Sequence, residues 1–541
     1  MLDYQGRLKV LSLHTFPGNQ AMALRNRREL LSDTSKGMLL AGLGLSISQD
    51  LGLAPLWAAE EPARLTFGAR EPLVEFLAQT PPEKIIQACI AKIRAGTSVR
   101  DLVAAAALTN ARAFGGEDYV GFHTLMALAP AWSMTNEEGN SPQAALPVLK
   151  VLYRNANRLK ERGTGPDTLS PLPAVAISAK RGEKSALRDA VRAKNLNQSE
   201  QAFAPYVSQA PGYGIDALME MVDDGADVHR IVLVAKSLEL SGFVGTANAH
   251  TLLRQSVHYC VKNEPATSND KQFEELRRVI PALLERHQLL SALKGTRRMD
   301  DAWVSSFCRS TLAATPAAAA EAVALALAEG INPEDIGEAL ALGSNHLVLR
   351  DQGRQGSEIQ PNKPAGSVHG DSTGVHSGDT THAWRAIARA GNVRTLHSSL
   401  ILAGYQLARD RSYRGAEILT REPVYAGAAA EAARGVTRER IADELKVAIS
   451  ASLQARAAAL VVRMGELGMD PAIAKGVLRK FATTEDGALH AEKFYRTTCD
   501  DFQNTRQSLR WTHLAGLARV TASAFGFKAA GVDEAASILG G

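Results

Sequence analysis

Apolar residues recur with helical spacing over most of the chain, most clearly around Leu102-Val103-Ala104-Ala105-Ala106-Ala107-Leu108 and through the run from Pro316 to Glu329. Such spacing lines one face of a 3.6-residue helix, alanine and leucine favour that state, and alternating β-branched runs are nearly absent. The pattern predicts an all-α fold: a large helical bundle or helical-repeat array built from capped helix-turn-helix units. Only Ala174 to Ser178 reads as a short extended piece.

The helix starts share one grammar. Gly96-Thr97-Ser98, Gly225-Ala226-Asp227, Gly330-Ile331-Asn332-Pro333 and Gly435-Val436-Thr437 each place a glycine, a spacer and a capping residue before an apolar helix, and Gly468-Met469-Asp470-Pro471 is a partial fifth copy. Glycine closes the preceding helix in a left-handed conformation. The Ser, Asp, Asn or Thr side chain then accepts from the unpaired amides of the next helix, and proline suits its first position. The intervals are regular enough to admit an internal duplication, although ordinary caps would produce the same pattern.

Near the amino terminus the pattern changes. Arg27 and Arg28 precede a short, mild apolar run, Met38-Leu39-Leu40-Ala41-Gly42-Leu43-Gly44-Leu45, which Gln49-Asp50 closes. Twin arginines ahead of such a run are a twin-arginine export signal, and the run is far shorter than the roughly 20 apolar residues of a membrane-spanning helix. The expected organisation is a leader over residues 1–59, cleaved near Glu60, with residues 1–21 an upstream extension ahead of Met22. A mature all-α domain over residues 60–541 follows. The protein is thus expected to engage the twin-arginine export machinery, to lack a permanent membrane anchor, and to work in the periplasm or outside the cell.

A net charge of +4 over 541 residues, with the basic spots beside acids, gives no basic stripe for nucleic acid. Cys89, Cys260, Cys308 and Cys499 form no metal-binding or haem-attachment spacing, and both disulfides and buried free thiols fit them.

The chemistry concentrates between Gly366 and Arg385, where His369, Asp371, His376, Asp379 and His382 follow one another in a glycine-rich segment. It reads as a loop running into a helix capped by Asp379 or Thr380. Imidazole and carboxylate on flexible backbone suit a metal ion, with His369, Asp371, His376 and His382 as its ligand set. They suit general acid–base catalysis equally, with His376, His382, Asp379 and His123 as the catalytic residues. Capping and backbone hydrogen bonding are the competing structural roles. Because His123-Thr124-Leu125 and His250-Thr251-Leu252 both open helices, His123, His250 and His382 are expected to converge on one pocket if equivalent helices pack side by side.

Phe122-His123-Thr124-Leu125-Met126-Ala127-Leu128, Leu146 to Tyr153, Val375-His376 through Thr381-His382-Ala383-Trp384-Arg385, and His490-Ala491-Glu492-Lys493 resemble the His-bearing helical segments of the questin oxidase-like family. The whole chain also resembles a group of bacterial proteins with twin-arginine leaders. The first resemblance implies an all-helical fold, a helical cavity lined by His123, His376, His382 and His490, and ring oxygenation of the Baeyer-Villiger type with a nicotinamide cofactor. The chain departs from that expectation in lacking G-x-G-x-x-G after a strand.

These readings together lead us to expect an exported helical oxidoreductase acting on a small organic molecule at a histidine-lined pocket, its cofactor left open apart from a metal ion. The alternative is a non-catalytic helical scaffold or binding protein, for a partner the sequence does not name.

Overall fold

The computed structural model describes residues 64–540 apart from 164, 174–175, 177–184, 207–210, 266–270 and 292–293. The twin-arginine leader, its cleavage region and most of the expected extended piece at 174–178 therefore lie outside the described residues. Among those residues there are 23 α-helices and no strand, only isolated bridges such as Arg297 with Ile331. The all-α expectation holds. No described helix is long and apolar enough to cross a membrane.

Three of the four full helix starts form their expected cap. Ser98 accepts from Asp101 N, Asp227 from His229 N, and Asn332 from Glu334 N with Pro333 at the first position. The partial copy behaves likewise, Asp470 accepting from Ala472 N. Thr437 does not cap, because residues after it form a turn and the helix begins only at Ile441. The glycine role also splits. Gly96 and Gly330 have positive φ, whereas Gly225 does not. A Cβ on Gly225 would lie 2.7 Å from the Phe273 ring, so packing space is what requires glycine there.

Four helices, each packed against the next, close a ring in the middle of the fold. Tyr119–Glu138 packs on Val228–Val244, that helix on Thr373–Ala390, that on Ala491–Gln503, and the last returns to Tyr119–Glu138. Val99–Phe114 and Thr246–Lys262 pack against Val228–Val244, while Pro333–Arg350 and Val393–Ser412 pack against Thr373–Ala390. The surrounding core buries Trp384, Phe114, Phe494 and Ile90 almost completely. Removing side chains of this size from water stabilises the fold by about 1.5–3 kcal/mol each, and the surrounding helices thereby hold the ring in place.

The segment expected as a loop is largely helix. Thr373–Ala390 starts at a Ser372 cap, so His376, Asp379 and His382 all lie on it, and neither Asp379 nor Thr380 caps it. Its glycines mark close approach of other elements. A Cβ on Gly374 would meet Val348 at 2.8 Å, and one on Gly378 would meet Phe494 at 3.1 Å.

Candidate functional site: a ring of four imidazoles

Each helix of the central ring brings one histidine to its axis. Asp118 caps Tyr119–Glu138 by accepting from Gly121 N, which sets His123 in the first turns. Asp227 caps Val228–Val244 directly ahead of His229. His376 follows the Ser372 cap, and His490 is itself the residue from which Ala491–Gln503 starts, its carbonyl accepting from Phe494 N.

The imidazoles meet in two pairs. His123 Nε2 lies 3.2 Å from His229 Nε2, and His376 Nε2 lies 3.0 Å from His490 Nε2. Going round the ring, the centroids of His123, His229, His376 and His490 are separated by 4.8, 5.8, 5.0 and 5.3 Å. Behind the first pair, His123 Nδ1 donates to Tyr119 O at 2.7 Å, and His229 Nδ1 stands 3.6 Å from Asp227 Oδ1. Tyr259 donates its hydroxyl to the same carboxylate. Tyr119 and Phe122 rings pack on both His123 and His229, screening them from water. Burial above all, with the positive charge of Lys493 nearby, lowers the pKa of His123 and of His376 and favours neutral rings.

A polar seam continues from this cluster along three of the same helices. His490, Lys493, Thr497 and Asp500 follow at three- and four-residue spacing on one helix face, and His376, Asp379, His382 and Arg385 follow at spacing three on another helix. Thr497 donates to Asp379 Oδ1 at 2.9 Å, while Asp379 Oδ2 is buried without a hydrogen-bond partner among the described residues. Burial raises the Asp379 pKa despite the Lys493 charge beside it. Lys493 is 2% exposed. It makes no hydrogen bond or ion pair among the described residues, and burial pushes its ammonium down to about 8. The far end is compensated. His382 lies 3.7 Å from both Asp500 and Asp501, Arg385 reaches Asp501 at 2.6 Å, and Lys236 pairs with Glu239 at 2.9 Å.

A narrow cavity of about 20 Å³ abuts the cluster, walled by Phe481, Phe494, Leu517, Val520, His369 and His490. As it stands the cavity has room for about one water molecule. Its walls are mostly apolar, with the His490 ring as its link to the imidazole ring.

The residues singled out from sequence separate into distinct environments. His123 and His376 enter the cluster together with His490, and Asp379 lines the seam. His382 sits on the seam against Asp500 and Asp501, beyond the cluster. His369 belongs to the cavity wall, where it hydrogen-bonds Ser523 Oγ and Asn362 O, both at 2.9 Å. Asp371 is held by Arg354 at 2.5 Å and Lys363 at 2.9 Å. The ligand set His369, Asp371, His376 and His382 therefore does not form. On a continuous helix, positions six apart point about 120° apart and lie about 9 Å along the axis, so His376 and His382 do not face one ion.

The expected convergence of His123, His250 and His382 is also corrected. His250 sits on Thr246–Lys262, which packs on Leu196–Phe203 and Pro211–Val222, and its ring stacks on Phe203 at 4.6 Å while Nε2 meets Phe203 O at 3.2 Å. Shared position within a helix did not mean a shared neighbour. Two contributors went unrecognised in the sequence, His229 and its carboxylate Asp227. Their signal was a histidine two residues after a cap in a helix otherwise apolar around it.

Among the described residues, no three His, Cys, Asp or Glu side chains already enclose a common point as metal ligands. Nor does any strand form among them, so the strand-turn-helix cradle that holds a dinucleotide is not built there. The four cysteines are free and buried. No family model, curated protein or solved structure matches the chain.

Proposed function

We propose that the chain is an exported oxidoreductase that takes a small, mostly apolar organic molecule beside His490, the narrow cavity there widening to admit it, with the imidazole ring as its reaction centre. The observation that carries this reading is the single side chain shared by the two features: His490 lines the cavity and contacts His376 at 3.0 Å. Neutral imidazoles each offer one N–H donor and one lone pair, for a substrate or for a ligand. Lys493 and Asp379 lie on the seam beyond them as further proton-carrying groups. Electrons need a separate acceptor, since the four thiols are apart and buried. An external oxidant such as dioxygen meets that need, a bound metal ion serving only to relay the electrons.

The test is a panel of small phenols, quinols and cyclic ketones, offered to the purified full chain while melting temperature and dioxygen uptake are followed. At least one compound is expected to raise the melting temperature and to be consumed. Ala491→Phe, which narrows the cavity at its wall, is expected to cut turnover at least tenfold with helicity unchanged. Unchanged turnover in that variant, or a panel without any thermal shift, would remove the reading and favour a non-catalytic scaffold.

Export is proposed on Arg27, Arg28 and the short apolar run behind them. Replacing both arginines by lysine is expected to leave the precursor in the cytoplasm. Continued export of that double variant would exclude the twin-arginine route.

A further inference from the structure

Each histidine of the first pair has its other nitrogen turned toward an acceptor. A backbone carbonyl can only accept, so the proton on His123 belongs to Nδ1, where Tyr119 O stands at 2.7 Å, and Nε2 is left with a lone pair. Asp227 Oδ1, 3.6 Å from His229 Nδ1, draws the His229 proton to the same side. The alternative is an Nε2–H···Nε2 hydrogen bond; with the His229 proton on Nδ1, toward Asp227, the two Nε2 atoms face each other at 3.2 Å with two lone pairs and no proton between them. This is an unfavourable contact for two bare imidazoles. It is the ordinary arrangement of imidazoles that share a cation, where the remote N–H is given to a carbonyl or carboxylate and Nε2 to the ion.

The spacing agrees. Imidazole nitrogens about 2.0–2.1 Å from a tetrahedral ion lie about 3.3 Å from one another. The His123–His229 and His376–His490 nitrogens are 3.2 and 3.0 Å apart. The second pair stands against the first from the opposite side of the helix ring, with His490 5.3 Å from His123 and His376 5.8 Å from His229, ring to ring. Bringing the four nitrogens to one centre takes rotation of the rings about their terminal torsion, which is soft in histidine. We propose that His123, His229, His376 and His490 bind a single first-row transition-metal ion of the imidazole-preferring class, with Asp227 and the Tyr119 carbonyl orienting the ligands from behind. Imidazole sites select such ions over magnesium or calcium.

This assignment rests on the reading of the cluster as the functional centre, but metal content is measured without turnover, so an empty centre and an inactive cavity are separable results. The full chain, stripped with a chelator, is titrated with Co(II) and with Cu(II). One equivalent of each is expected to bind, with Co(II) visible absorption of a four-coordinate nitrogen site and Cu(II) resonance showing coupling to at least three nitrogens. His229→Ala and His490→Ala are expected to abolish stoichiometric binding, and His250→Ala to leave it unchanged. Should the alanine variants fold poorly, Asp227→Asn keeps all four rings and is expected to weaken affinity by about 10–100-fold. Binding below one equivalent, coupling to only one or two nitrogens, or equal binding by wild type and folded cluster variants would overturn the assignment and leave the four rings as a hydrogen-bonded cluster.

Discussion

Two histidines open their helices with the same tripeptide, yet they live in opposite chemical situations. His250 has its ring flat on Phe203 and its Nε2 on a carbonyl, and the neighbouring His258 is clamped between Glu117 at 2.9 Å and Glu200 at 2.8 Å. His123 has one nitrogen satisfied and turns the other onto a second imidazole. A matching contrast separates two lysines. Lys150 pairs with Glu492 at 2.6 Å and donates to the Ala482 and Glu485 carbonyls, whereas Lys493, the residue next to Glu492, has no such partner among the described residues. Buried polar groups that are fully paired hold a fold together, while those left incomplete are where a ligand or a reaction completes the pairing.

The two lysines offer the sharpest way to break this contrast. Lys150→Met strands Glu492 in the interior and is expected to cost about 3–5 kcal/mol in urea unfolding. The same substitution at Lys493 is expected to cost less than about 1 kcal/mol or to stabilise, since it removes a buried charge with no bonded partner among the described residues. Equal losses at both sites would collapse the distinction.

His258 gives the next largest effect, and a pH signature. Burial opposes its charge, but hydrogen bonds to Glu117 and Glu200 win and raise its pKa above the ordinary value. The stability it contributes is complete below about pH 6.5, and is lost as pH climbs through the raised folded value. His258→Leu is expected to cost about 1–3 kcal/mol at pH 6 and less at pH 9, read from denaturation midpoints across that range. A constant difference would show that the ring is not charged there.

The smallest difference sharpens the comparison within the tripeptides themselves. His250→Leu gives up one hydrogen bond and one ring stack and is expected to lower stability by about 1–2 kcal/mol. His376→Leu, which leaves the cluster but keeps the volume, is expected to stay within about 1 kcal/mol of wild type in calorimetric melting. A larger loss at His376 than at His250 would make the cluster a structural device.

Much of the helix grammar was legible because it is local. Ser98, Asp227, Asn332 and Asp470 cap where their spacing says, since a capping side chain needs only amides two or three residues ahead. Glycine misled where it did two jobs. Gly374 and Gly378 read as a loop, but they thin one side of a helix so that Val348 and Phe494 can approach. The candidate site was legible in part: His123, His376 and His490 stood out as histidines on apolar helices, and all three reach the ring. His229 and its carboxylate Asp227 escaped because nothing in their own segment reports which helices they meet.

The sequence by itself determined the all-α class, most helix starts and the dense histidine-aspartate stretch, because periodicity and capping act over a few residues. Tertiary structure alone decided that four helices far apart in the chain close a ring. It set His229 against His123 and His490 against His376, and it left His250 and His382 to ordinary partners. Those pairings rest on which faces pack together, a property of the whole core that no local stretch encodes.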